Sequence, residues 1–542
     1  MATTKETSRD RWDTIHKNGP FPLKLFLETK LEKKANLLAP IDRYNDAAIE
    51  IQRLLSEALD NNEGFRSIGS KWSMSSIAHH KDRMHFSAYM NLKFEISEDE
   101  MHSDSSFQRE NVYLFQCGNQ IKELSQYLEN RGKSLKTTGA SNGQTIAGCI
   151  STGVHGSAID VGSVQDYVVG LNLITGPHPE DIVYLERHTK PALSDVLPTK
   201  MNAKIIRNDG LFNAALVGLG SFGFIHGVVI EAEDAFLLQR YVRKIKKETA
   251  LKLAETLDFA NSKFKIPTEL DDNGKGKRPY HYKVFVNPYG KEKEYVIEAI
   301  YKKPYDPLYK AKYGDPIPFM KEFVYRDLIY LLVKISQRFP KAIPKFIKAL
   351  NKTIMPEEKS GGVKKDIIGK LSEIFWDAGY QGRAFACSFG VDHRDARKAL
   401  NVLTKLTRDE GPVPGIFAMR FVKKSEGLLA FTKFPYTCMV EIDGIQWKKS
   451  KKLMSLAEYA TRMIEVLQEN NIPFTIHWGK NANWEFPNLA EHMYGADIKQ
   501  WKEYRSALLS EEMALVFSNG FIKKLGLSNF DVAAPEDLIA SL

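Results

Sequence analysis

The chain has 542 residues, 43% of them hydrophobic and 26% charged, with 76 Lys and Arg against 67 Asp and Glu for a net charge of +9. That balance excludes a disordered or low-complexity chain, and the length predicts two to four domains with more than one core. The charge is mild for this size and accompanies no recognisable nucleic-acid module, so no nucleic-acid partner is expected.

The first 40 residues show no clear pattern. They are polar at the start and lack the apolar core of a secretory signal. From Asn45, residues Ile51, Leu54, Leu55, Ala58 and Leu59 recur at helical spacing up to the turn Asn61–Gly64. Phe65–Ile68 reads as a short strand, followed by Gly69-Ser70. A second unit runs from the strand Val112–Cys117 into a helix faced by Ile121, Leu124 and Leu128 and closed by Arg131-Gly132. Strands alternating with single helices indicate an α/β or α+β domain. The stretch 139–176 holds eight glycines in 38 residues, enough to predict repeated turns or close approach to a ligand. The apolar run Tyr167–Thr175 predicts a buried strand, and Gly218–Gly223 leads into another at Phe224–Ala232.

Beyond about residue 235 longer strands follow, at Tyr282–Val286, Glu294–Tyr301 and Arg383–Phe389, with a solvated loop at Gly274–Arg278. The segment 323–352, with Lys334, Arg338, Lys341, Lys345 and Lys348, reads as a helix with a solvated basic face. A helix lying on a membrane surface is the alternative. No apolar run reaches about 18 residues, and Leu328–Val333 is far too short to span a bilayer. Cysteines 117, 149, 387 and 438 lack CxxC spacing and are too few for a disulfide framework. The expectation is a cytoplasmic chain, peripheral to a membrane at most, with no metal site.

Tight glycine turns can present backbone N–H groups to phosphate oxygens. Two such stretches, Ile68–Ser73 and 139–157, are neither Walker A loops nor GxGxxG turns opening a helix. Together with residues 211–233, the blocks RSIGSKWSMSSIA (66–78) and TTGASNGQTIAGCISTGVHGSAIDVGSVQDYVVGLNLITG (137–176) resemble the PCMH-type FAD-binding domain of the vanillyl-alcohol oxidase superfamily. The nearest branch is that of the aldonolactone, alditol and type II cholesterol oxidases. The resemblance is strong over about 45–235 and thinner in the C-terminal third, where His477-Trp478-Gly479-Lys480 matches a tetrad of that branch. It implies an α+β fold with a two-subdomain FAD-binding domain (1–235), a cap or substrate domain with an antiparallel sheet (236–470), and a C-terminal segment (471–542) returning to the flavin. It also implies FAD held by Gly69, Ser70, Lys71, Trp72, Ser73, Thr138, Gly139, Ala140, Gly143, Thr145, Gly148, Ser151, Thr152, His155, Gly156, Gly220, Gly223, Ile225 and Val228.

Two departures stand out. Many relatives carry GxGHS in the first loop, its His bonded covalently to the flavin; here Trp72 stands at that position, so noncovalent FAD is expected. His79 and His80 lie too far along to be assumed substitutes. Relatives often carry Glu-x-Arg on a cap strand facing the flavin; here the stretch is Ala418-Met419-Arg420, with the Arg but not the Glu. The implied reaction oxidises a CH–OH group by hydride transfer to flavin N5, with oxygen or another electron acceptor to follow. Arg420 and Lys480 are the cations expected to stabilise charge on the reduced ring. Glu441, sharing a strand face with Asp443, is the candidate base or hydroxyl acceptor, and His477 a candidate catalytic partner. The flavin carries the redox chemistry and the protein supplies placement. The substrate is either a sugar lactone or polyol, or a bulkier sterol-like or secondary-metabolite alcohol, which the chain's length favours. The alternative is a flavin-binding protein of the same fold without turnover. Oligomeric state is not legible.

Overall fold

The computed structural model describes residues 2–31, 39–290, 295–311, 338–354, 358–359, 362–363, 366–375, 382–451 and 453–528. Three larger sheets, of four, six and eight strands, organise the described residues, beside three two-stranded ones. The first has four strands in the order Ala2–Ser8, Leu25–Leu31, Arg83–Phe86, Phe65–Ile68. Its outer pair is antiparallel and its remaining pairs are parallel. The first two strands fall where the sequence shows no pattern. Ala2–Ser8 is an edge strand with no fully buried residue, so it carries no apolar alternation.

The helix Pro40–Asp60 packs across this sheet and starts five residues earlier than its apolar spacing indicates. Pro40 sits in the first turn, where its missing N–H costs nothing. Tyr44, Ala47 and Ala48 extend its buried face. The second sheet runs Lys204–Arg207, Ile182–Glu186, Val168–Ile174, Phe224–Glu231, Val112–Gln116, Lys93–Glu95. Val168–Ile174 is buried at every position, as its unbroken apolar run predicts.

The third sheet draws its strands from residues 236–476 and is antiparallel throughout. Its order is Ile367–Gly369, Phe236–Ile245, Tyr295–Pro304, His281–Val286, Gly415–Lys423, Tyr436–Ile445, Ala384–Asp392, Thr475–Ile476. The helices Ala396–Asp409 and Leu456–Glu469 pack together on this part of the chain. The last described helices turn back to the glycine-rich part. Arg505 donates to the Ser221 carbonyl at 2.9 Å, and the Asn519 amide donates to the carbonyls of Ile77 and His79. These helices are thereby tied to the Gly218–Gly223 turn and to the segment that follows the first glycine loop.

The basic segment 323–352 is described only from Arg338. There Ile343 and Ile347 are fully buried while Lys341, Lys345 and Lys348 are exposed, as in a packed helix with a solvated basic face. Lys334 and the run Leu328–Val333 lie outside the described residues. No described helix is long and apolar enough to cross a membrane. All four cysteines are buried and unbridged.

Candidate active site

A cavity of about 630 Å³ lies between the glycine-rich loops and one face of the eight-stranded sheet. One wall is the loop from Gly69 to Ser73, followed by Gly139, Ala140, Thr145, Gly148, Ser151, Thr152 and His155, with Gly220, Gly223 and Ile225. In the first loop Lys71 adopts φ +63°, the left-handed conformation that an L side chain enters at a cost of about 1–2 kcal/mol. Lys71 stands where the GxGHS pattern has its second glycine, so the turn is kept without the glycine. Its carbonyl accepts from the Ile15 N–H at 3.1 Å.

The opposite wall comes from neighbouring strands. Register places Lys283 opposite Arg420 and Ala418 opposite Glu441. Glu441 is fully buried and its Oε1 lies 2.5 Å from the Arg420 guanidinium, itself 9% exposed. The carboxylate absent at 418 is therefore present one strand over, beside the same arginine. Cross-strand neighbours are as close in space as residues two apart on one strand, so Glu441 can reach Arg420 although position 418 is Ala. Glu441 does not border the cavity. Asp443, two residues on, does, together with Arg420, His477, Lys480 and His16.

His477-Trp478-Gly479-Lys480 forms a turn, with the Lys480 N–H donating to the His477 carbonyl at 3.0 Å and the Gly479 N–H to His477 Nδ1 at 3.0 Å. Trp478 is its anchor, fully buried, stacked on Trp484 and Tyr494, its indole N–H donating to the Leu429 carbonyl. The turn is bonded to the first loop: Ser75 Oγ donates to the Trp478 carbonyl and the Met74 N–H to that of Gly479. Lys480 is thus held on the cavity wall by packing spread over three segments.

Burial holds the imidazoles of His155 and His477 well below the ordinary histidine range, with the nearby Arg420 and Lys480 adding to the effect on both and His155 adding to that on His477. His16, also buried, is lowered to about 4, first by burial and then by Lys480. All three are neutral near pH 7. Burial and Glu441 raise the Asp443 carboxyl, against the pull of Lys480, Arg420 and Lys283.

A family profile described as an FAD binding domain matches residues 48–178. The chain carries an FAD-binding domain. FAD is its cofactor. Curated relatives of this flavoprotein include D-arabinono-1,4-lactone oxidase of Candida glabrata, 25% identical over 217 residues, 40% of this chain and 36% of the relative. L-gulonolactone oxidase 3 of Arabidopsis thaliana is 34% identical over 125 residues, 22% of this chain and 18% of the relative. The match to the first of these thus spans little more than a third of the relative's length. The crystal structure of cholesterol oxidase from B. sterolicum superposes with a TM-score of 0.66 at 13% identity, covering 97% of each chain, a likeness of fold.

The residues of the flavoprotein's cavity fit the cofactor. A Cβ added at Gly148 would find only Thr145 Oγ1 within 4 Å, at 3.2 Å, so the space over that turn belongs to the cavity. Gly69 differs: its missing Cβ is where Thr145 packs, 1.9 Å from the hydroxyl oxygen. Four residues expected at FAD do not border the cavity. Gly156 lies against the Thr138 carbonyl, 2.3 Å from where its Cβ would be, and Thr138 is turned onto its own loop, its hydroxyl donating to the Gly139 carbonyl. Val228 points into the core, and Gly143 is likewise absent from the wall.

Arg66, His16 and Asp443 are among the wall residues that sequence reasoning did not name as site residues. Arg66 is buried and donates to the carbonyls of Ile77, Leu219 and Gly220; burial, then Arg505, lowers it to about 9. His16 arrives on the N-terminal arm, edge-on to Trp72 with ring centroids 5.5 Å apart. Its carbonyl accepts from Gln446, and neighbouring Asn18 accepts from Gln446 and Asn481. No sequence signal marks it, since the arm has no motif. Asp443 was legible as sharing a face with Glu441, but only the cavity distinguishes the two. His79 and His80 do not border the cavity; His79 bonds the Pro22 carbonyl and His80 accepts from the Asp82 N–H.

Proposed function

We propose that this chain is an FAD-dependent oxidoreductase that converts a CH–OH group to a carbonyl. The observation that carries the reading is the meeting of Arg420, Lys480 and Asp443 with the glycine loops on one cavity. Bound FAD supplies a two-electron acceptor for hydride. Arg420 and Lys480 place fixed positive charge on a buried wall, where it favours negative charge developing during the reaction. His155 and His477, held neutral, shape the wall and offer hydrogen bonds without adding charge.

Trp72 offers no nucleophile at the linkage position, which supports noncovalent FAD. The polar end of the cavity, with Asp443, Arg420, Lys480 and His16, suits a small hydroxylated substrate such as a sugar lactone or polyol better than a sterol. The relatives named for lactones support the same choice. Flavin binding without turnover is disfavoured, because Arg420 retains a buried carboxylate partner. Oxygen or another acceptor completes the cycle.

The test is anaerobic addition of aldonolactones, polyols and a sterol to the flavin-loaded protein. Bleaching of the visible flavin band by a lactone or polyol is expected. Bleaching by the sterol alone would reverse the substrate assignment, and no bleaching by any of them would remove the alcohol-oxidising reading.

A further inference from the structure

We propose that Asp443 accepts the substrate's hydroxyl proton, and that Glu441 acts behind it as the positioning residue for Arg420. This rests on the function proposed above and divides between two carboxylates a role that their shared strand face leaves undecided.

The geometry separates them. Asp443 borders the cavity and Glu441 does not. Glu441 is fully buried, pressed between Ala418 and Ser388 on the flanking strands, and engaged with Arg420 at 2.5 Å. A carboxylate so placed fixes the guanidinium but has no route to a substrate. Asp443 Oδ1 is buried with no hydrogen-bond partner among the described residues; the Glu441 oxygens also lack one, but they face the Arg420 cation, whereas Asp443 borders the cavity. A buried acceptor is seldom left unbonded unless a ligand or water completes it. Around it stand the groups a proton acceptor needs: Arg420 and Lys283 from adjoining strands, Lys480 from the His477–Lys480 turn and His16 from the N-terminal arm. Lys480, Arg420 and Lys283 favour the ionised carboxylate, while burial and Glu441 make it a stronger base than an exposed aspartate.

In the step, the O–H proton passes to Asp443 Oδ1 and the O–H bonding pair forms the second C–O bond. The hydrogen on carbon leaves with the C–H bonding pair as hydride, which bound FAD would accept. Proton, hydride and carbonyl account for every atom of the alcohol. His16 stays neutral throughout.

The test is rapid-mixing anaerobic reduction of the holoenzyme by an alcohol that bleaches the wild type, from about pH 4 to about pH 9. The carboxylate form is the active one, so the wild-type rate rises with pH through the Asp443 titration. Asp443→Asn should keep its flavin, lose about 10²–10⁴ in rate and lose that acid limb. Glu441→Gln should be slowed yet keep the limb, moved to lower pH, because it resets Arg420 and removes a charge that raises Asp443 but leaves the base itself in place. An Asp443→Asn enzyme with the wild-type rate, or a limb that vanishes in Glu441→Gln and survives in Asp443→Asn, overturns the proposal. A second readout needs no substrate. In pH-difference infrared spectra of the holoenzyme, a carboxyl band titrating above the ordinary aspartate range should be present in the wild type and in Glu441→Gln and missing in Asp443→Asn. Its absence from the wild type overturns the assignment, whereas failure of every alcohol to bleach the flavin counts against the proposed function instead.

Discussion

Glu441→Gln removes one charge from the eight-stranded sheet with almost no change in volume, which isolates the electrostatic effect. Arg420 is 9% exposed and Glu441 is fully buried, so the variant leaves a nearly buried guanidinium without its counter-ion. Lys283, directly across the next strand pair, aggravates the imbalance. Breaking a buried pair by removing one partner costs about 3–5 kcal/mol. The amide oxygen can still accept from Arg420, and the arginine borders a cavity that water can enter, so the low end, about 3 kcal/mol, is expected. Urea unfolding of the apoprotein, followed by tryptophan fluorescence and by circular dichroism, measures the change. The volume-conserving exchange Ala418→Glu with Glu441→Ala returns the carboxylate to the strand of Arg420 at directly opposed positions, with Cβ atoms about 4.5–5.5 Å apart. It should recover more than half of the loss. A Glu441→Gln protein within about 0.5 kcal/mol of the wild type would refute the pairing as a source of stability.

Further outcomes follow from the cavity wall. Acid precipitation should leave the yellow colour in the supernatant, since Trp72 cannot form the histidyl bond; colour in the pellet would contradict this. Gly148→Val should fold and fail to hold flavin, because its added atoms enter the cavity, whereas Gly156→Val should lose stability even without flavin, because its Cβ meets the Thr138 carbonyl at 2.3 Å. Soluble yield and flavin content of the two variants distinguish these cases, and a Gly148→Val protein with full flavin content would move the cofactor elsewhere. Lys480→Met keeps most of the side chain's bulk and should slow anaerobic flavin reduction by roughly 10²–10³ with flavin still bound; an unaltered rate would leave the His477–Lys480 turn as packing alone.

Some of this protein was legible in the chain alone because it depends on local spacing. The helix over Ile51–Leu59 and the buried strand around Val168–Ile174 follow from apolar period, and the glycine loops follow from the backbone freedom that only glycine density supplies. Arg420 and Lys480 were singled out through the resemblance, and the fold brings both to the cavity wall. The edge strand Ala2–Ser8 was not legible, since pairing on one side imposes no alternation of buried residues. The distinction between Gly148, open to the cavity, and Gly156, filled by a carbonyl, was likewise invisible, because both are glycine for steric reasons that involve different neighbours. Nor could the sequence place His16 at the site, which depends on hydrogen bonds to Gln446 and Asn481 more than 400 positions away. The clearest case is the carboxylate missing at Ala418. Read along the chain it is lost, and only strand register, which sets Glu441 opposite it and against Arg420, shows that the charge pair persists while Asp443 is left facing the cavity. Periodicity is a property of neighbouring residues, but a buried charge is balanced in space, and that balance is decided by which strands come to lie side by side.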